Sequence, residues 1–162
     1  NPYALSKKNS EEWCNFYANN FNVNIIILRL FNVYGNSNNT KSFIPSIISQ
    51  LKNNQKIFIN KNIYRDYLHI EDLNNLIFKI ISNQNKIKGL EIFNVGYGES
   101  FNLFEIAKIL KKYTKSSSDL LEFNKKENNQ IMYTKADIKK ISKKFKWLPK
   151  IKIKRGLKNI LK

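Results

Sequence analysis

Apolar positions along this chain come in blocks, and the blocks switch between two periods. Leu5, Trp13, Phe16 and Tyr17 fall near helical spacing and predict a helix over residues 4–20, with Pro2 where a first-turn proline is tolerated. Val23–Leu30 follows as a nearly continuous apolar run through Ile25, Ile26, Ile27 and Leu28, the pattern of a strand buried on both faces. Residues 35–40 are polar and read as a loop. Phe43, Ile44, Ile47, Ile48 and Leu51 return to helical spacing and predict a helix over 42–52. Short strands are expected at 56–59 and 65–69, on either side of a turn at residues 60–62. Leu73, Leu76, Ile77, Ile80 and Ile81 mark one face of a helix over 71–82. A strand at 92–95 closes on Gly96 and Gly98. Asn102 is placed to cap a helix over 103–113, with Glu105 as the acid of a capping box. A strand at 120–123 follows Ser116–Ser118, and two short basic helices flank Trp147-Leu148-Pro149 near the end.

Strands alternating with helices in this way imply an α/β fold with a parallel sheet. So few strands with open edges make a poorly stable sheet, so the pattern leads us to expect further strands upstream of Asn1.

Charge changes the picture less than it first suggests. Against 12 acidic residues stand 29 basic ones, a formal net charge of +17 and an isoelectric point near 9.9. Nearly all of that charge is lysine, because the arginines are Arg29, Arg65 and Arg155, whereas phosphate and base readers favour the arginine fork. The lysines are scattered and read as solvated surface rather than a nucleic-acid patch. The apolar run at 23–30 is too short to span a bilayer, and residues 1–12 lack the apolar centre of a signal peptide. A single cysteine, Cys14, fits a reducing, cytoplasmic setting. His69 is the one histidine, and no Cys/His cluster points to a metal. It is read as packing at a strand end, while Asp66, Glu71 and Asp72 are read as negative charge at a helix N-terminus. Trp13, Phe16 and Tyr17 are read as core.

The chemistry-bearing pair is Tyr3 and Lys7, one helical turn apart and therefore on one face. A free phenol, with a pKa of about 10, is a poor base at neutral pH. A nearby ammonium favours the phenolate and brings proton transfer with a sugar hydroxyl into range.

The string Asn1-Pro2-Tyr3-Ala4-Leu5-Ser6-Lys7 resembles the catalytic segment of the extended short-chain dehydrogenases/reductases, the NAD-dependent nucleotide-sugar epimerase/dehydratase family. Further strings resemble the family in order: Leu28–Gly35 its strand and substrate loop, Arg65–Leu73 its arginine-aspartate motif, and Phe93–Gly98 its last sheet strand and glycine turn. Ala136–Lys140 followed by Lys146–Pro149 resembles its closing signature. The resemblance implies the C-terminal part of a Rossmann-like, NAD(P)-binding parallel sheet, over residues 1–35 and 65–96. It also implies a small α/β substrate-binding domain over 36–64 and 97–162, with the N-terminal cofactor half absent.

By the same resemblance Tyr3 is the catalytic acid/base, and Lys7 tunes it and holds the nicotinamide ribose. The backbone at Leu30 and Phe31 borders the nicotinamide. Asn32 and Arg65 grip the diphosphate of a nucleoside-diphosphate sugar. The cofactor is NAD or NADP, and the expected partners are that nucleotide sugar, the missing N-terminal half and a second copy in a homodimer.

Two departures stand out. The family's arginine and Gly-Asp pair ahead of the closing signature are replaced by Glu127–Gln130, leaving Lys126 as the nearby cation. No Gly-x-x-Gly-x-x-Gly turn occurs among these residues, so the chain alone is expected to be inactive. An NADPH-dependent 4-ketoreductase of the same family and a lysine-rich module for nucleic acid or an anionic surface are the rival readings.

Overall fold

The structure, a computed structural model, describes residues 1–37, 39–124 and 131–161. Helix α1 (Pro2–Phe21) starts on Asn1, whose side chain accepts the Tyr3 N–H at 3.0 Å, and ends where Asn22 turns left-handed at φ 52°. Strands β1 (Ile25–Leu30) and β2 (Asn32–Tyr34) are followed by α2 (Phe43–Lys52), β3 (Ile57–Asn60), β4 (Tyr64–Arg65) and β5 (Tyr67–His69). Helix α3 (Ile70–Ile81) leads through a short 3-10 turn to β6 (Leu90–Val95). Then come β7 (Phe101–Asn102), α4 (Leu103–Thr114), β8 (Leu120–Phe123), α5 (Lys139–Phe145) and α6 (Ile153–Asn159).

Among the described residues three of the four ladders are parallel: β1 with β6, β2 with β5, and β3 with β8. The fourth, β4 with β7, is antiparallel. The expected α/β class with parallel pairing is therefore present. The predicted strand over 65–69 is two strands, because Asp66 turns its side chain inward and interrupts the ladder. Strands β2 and β7 are too short to show a period, and the apolar pattern passed over both.

The β1–β6 pair lies between helices. Ile26 and Leu28 pack with Leu73, Leu76, Ile141, Phe145 and Trp147 toward α3 and α5, while α1 covers the other face. A second core joins α2, β3, α4 and α6 through Ile44, Leu51, Ile57, Ile106, Leu110 and Leu157. Amides of Phe104 and Glu105 donate to the Asn102 side chain, as the sequence predicts, although the Glu105 carboxylate pairs with Lys108 instead of reaching back.

The aromatic stripe of α1 corrects the sequence reading. Trp13 is 63% exposed, and Phe16, Tyr17 and Phe21 are exposed with it in a cluster of edge-on and stacked rings. Only Ala18 of this helix is buried, so the stripe faces away from the sheet. Lysines are not uniformly idle either. Lys140 donates to the Ile92 carbonyl at 2.8 Å and Lys144 pairs with Glu91, binding α5 to β6.

The carboxylate of Asp72 accepts the Lys150 and Ile151 amides at 3.0 and 2.8 Å, so it ties α3 to the segment before α6 instead of only flanking its own helix start. His69 is buried against Tyr34, with ring centroids 5.1 Å apart, and its Nδ1 accepts the Glu71 N–H at 3.2 Å as the cap of α3. Gly156 lets α6 settle on this pair: a Cβ there would stand 2.0 Å from the Tyr34 hydroxyl and 2.9 Å from His69 Cδ2. Overpacking of this kind costs about 1–3 kcal/mol. Gly156→Ala is therefore expected to lower the stability by that amount in urea unfolding, with less loss in a Tyr34→Phe background.

Candidate functional site

Tyr3 and Lys7 share the first turns of α1, and Lys7 Nζ stands 5.5 Å from the centre of the Tyr3 ring. Both line a surface cleft of about 420 Å³ together with Ser10, Glu11 and the end of β1. Tyr3 is 69% exposed and Leu30, which lines the same cleft, is 49% exposed, so the phenol stands in the open in a cleft with an apolar lining residue. Phe31 leaves the sheet here and donates its N–H to the Val95 carbonyl at 2.8 Å.

Asn32, two residues beyond Leu30, belongs to a second cleft of about 500 Å³. Arg65, Tyr67, Lys41, Ser42 and the first residues of α2 form its other walls. Leu30 and Asn32 thus stand on neighbouring stretches of one strand path, and the two clefts are linked by three consecutive residues.

What holds this junction is Asp66. Its side chain is completely buried and accepts three backbone N–H groups, from Tyr97 at 2.6 Å, Gly98 at 2.9 Å and Ala136 at 3.0 Å. Its own carbonyl accepts both the backbone and the side-chain N–H of Asn32, at 3.2 and 3.1 Å. The sequence reading missed this role. The spacing groups Asp66 with Glu71 and Asp72 as negative charge at a helix N-terminus, yet neighbours in an extended segment point to opposite sides, and Asp66 turns inward. Gly96 is part of the same arrangement, because a Cβ there would meet the Asp66 carboxylate oxygens at 2.8 and 2.9 Å.

Arg65 points the other way. Its guanidinium donates to the Tyr64 carbonyl at 2.8 Å and the Ile131 carbonyl at 2.6 Å, which orients the fork without neutralising it. Partial burial lowers its pKa from the ordinary value, against the opposing influence of Tyr67. A partly desolvated cation attracts anions more strongly than one in open water. The Tyr67 phenol, buried behind it, is pushed well above its ordinary value by burial and stays neutral. Asn32 spends one donor on Asp66, so only the rest of its amide faces the cleft. Lys126 lies outside the described residues. Lys41 and Ser42 are cleft residues that no sequence motif singled out; only the chain's return past β2 brings them there.

Residues 1–96 match the model of the NAD dependent epimerase/dehydratase family. The chain belongs to this family.

Among its relatives, it is 36% identical over 155 residues to the ADP-L-glycero-D-manno-heptose-6-epimerase of Brachyspira hyodysenteriae, covering 87% of this chain and 47% of that one. It is 29% identical over 167 residues to the CDP-abequose synthase of Salmonella typhimurium, covering 99% of this chain and 55% of the relative. The chain thus spans about half the length of the curated relatives it matches. The crystal structure of the UDP-glucuronic acid 4-epimerase from Bacillus cereus, in complex with UDP-glucuronic acid and NAD, superposes with a TM-score of 0.86 at 26% identity, over 98% of this chain and 50% of that one.

Within this epimerase/dehydratase chain, the Asp66 carboxylate is the contact with most to lose. Asp66→Asn keeps the volume but puts an NH2 against backbone donors, leaving at least one of them unsatisfied. Unfolding in urea is expected to reveal a loss of roughly 3 kcal/mol, since bonds to a charged acceptor contribute about 1.5–3 kcal/mol each.

Proposed function

We propose that this chain carries the proton-transfer and substrate-gripping residues of a nucleotide-sugar epimerase or dehydratase. The single observation that carries the reading is the Asn32–Arg65 cleft. An oriented, partly buried guanidinium, a lysine and the start of α2 converge there, beside the cleft that holds Tyr3 and Lys7. A nucleoside diphosphate sugar has the matching chemistry. Arg65 gives a planar fork for the diphosphate, Asn32 adds a neutral amide donor, and the sugar lies toward Leu30 and Tyr3.

Tyr3 takes the proton of a sugar hydroxyl, with Lys7 holding positive charge beside the phenolate as it forms. The groups at this end fit a nicotinamide riboside: an open phenol and an ammonium one turn away as donors, and the apolar Leu30–Phe31 stretch beside the ring. NAD or NADP, when bound, supplies the hydride acceptor. The pyrophosphate end has no glycine-rich turn to meet it among these residues, so the assignment covers the nicotinamide end only. The exposed aromatic face of α1 gives the expected homodimer a surface.

The relatives' names, which pair epimerisation with ADP-, CDP- and UDP-linked sugars, support the same reading over a nucleic-acid module. No helix among the described residues is long and apolar enough to cross a membrane.

Calorimetric titration with UDP-glucose, CDP-glucose and ADP-glucose tests the substrate half. Saturable binding of at least one is expected, and Arg65→Ala is expected to weaken it by about 10- to 100-fold, the effect of losing charge-assisted hydrogen bonds. Binding of duplex DNA with a steep salt dependence, alongside no effect of Arg65→Ala on any nucleotide sugar, would overturn the proposal.

A further inference from the structure

Tyr3, Lys7 and Glu11 succeed one another at single-turn intervals and line the same cleft. Helical side chains lean toward the N-terminus, so Lys7 leans over Tyr3 and Glu11 leans over Lys7. Left to itself, the Glu11 carboxylate is therefore the nearest competitor for the Lys7 ammonium.

Glu11 is not left to itself. Ile26 and Leu28 of β1 face α3 and α5, which directs Arg29 to the opposite side of the sheet, toward α1. There its guanidinium engages both carboxylate oxygens, Nε to Oε1 at 2.7 Å and Nη2 to Oε2 at 2.5 Å. This fork lowers the Glu11 carboxyl and raises the Arg29 guanidinium from their ordinary values. Among the described residues Lys7 forms no ion pair, and its one close partner is the Tyr3 ring.

We propose that Arg29 is a positioning residue which sequesters Glu11, so that the Lys7 ammonium stays directed at Tyr3 instead of pairing one turn further along α1. The inference rests on the reading of Tyr3 and Lys7 as the proton-transfer pair, and it adds a residue that touches neither substrate nor cofactor. It also accounts for an arginine at the end of an otherwise apolar strand. Because 53% of the Arg29 side chain is exposed, the fork contributes more to geometry than to stability.

The test compares two ways of breaking the same pair. Arg29→Met leaves a free carboxylate beside Lys7, whereas Glu11→Gln removes the carboxylate. An ammonium held by a carboxylate acylates more slowly, since the free amine is the nucleophile. Lys7 acylation by an acetyl N-hydroxysuccinimide ester is followed in the 162-residue chain by peptide mass spectrometry, with neighbouring Lys8 as internal reference.

Arg29→Met is expected to slow Lys7 about twofold, the effect of one i,i+4 carboxylate–ammonium pair. Glu11→Gln is expected not to slow it, and the double variant is expected to restore the parental rate. A purely structural role would move both single variants alike, in the direction of faster labelling as α1 loosens. That result, or no slowing in Arg29→Met, overturns the proposal. Arg29→Lys, which keeps a cation opposite Glu11, should leave the rate unchanged and guards against loss of folding. Labelling is read without turnover, so its failure leaves the catalytic reading of Tyr3 standing. Failure of nucleotide-sugar binding likewise leaves the Arg29 result intact.

Discussion

A carboxylate withdrawn from water must be matched by donors, and the Asp66 side chain meets that demand with three backbone amides drawn from two distant segments. The Asn32–Arg65 side of the candidate site hangs from this satisfaction. The turn after β6 is pulled in by Tyr97 and Gly98, and the approach to α5 by Ala136. The Asp66 carbonyl meanwhile holds Asn32 at the junction of β1 and β2. Arg65, the preceding residue, points to the other side of the segment. One buried charge thus fixes both the wall that faces a ligand and the frame behind it.

The site shows a division of labour that follows from burial. Asp66, Asp72 and His69 are buried and accept backbone N–H groups; they hold segments together. Tyr3, Lys7, Lys41 and Arg65 are wholly or partly exposed and keep charge or a titratable proton available. Among the described residues Asp66 and Asp72 are the buried acids, while Lys41 and Arg65 keep their positive charge at the second cleft.

Much of the fold was legible from the apolar pattern, because α2 and α4 each bury one clear stripe and β1 is covered on both faces; of the stripe expected on α3, Leu73 and Leu76 are buried while Ile77 and Ile81 stay exposed. Other features were not. Strands β2 and β7, at three and two residues, are too short for any period to register. The aromatic stripe of α1 is a true helical stripe, but periodicity states that a face is apolar without saying where it turns. Tyr3, Lys7, Asn32 and Arg65 were legible only through strings that resemble a family, and the structure brings them to two adjoining clefts. The Glu11–Arg29 fork and the Lys41–Ser42 rim were hidden because sequence separation conceals neighbours that only a crossover brings together.

The seat of α6 on Tyr34 and His69 carries a practical meaning for anyone handling this protein. Tyr34 lines the Arg65 cleft, and Gly156 packs against it from behind, so α6 supports one wall of that cleft. A fusion partner, affinity tag or immobilising linker attached after α6 would load that wall directly. Attachments that must not disturb ligand affinity belong on another exposed face of the molecule.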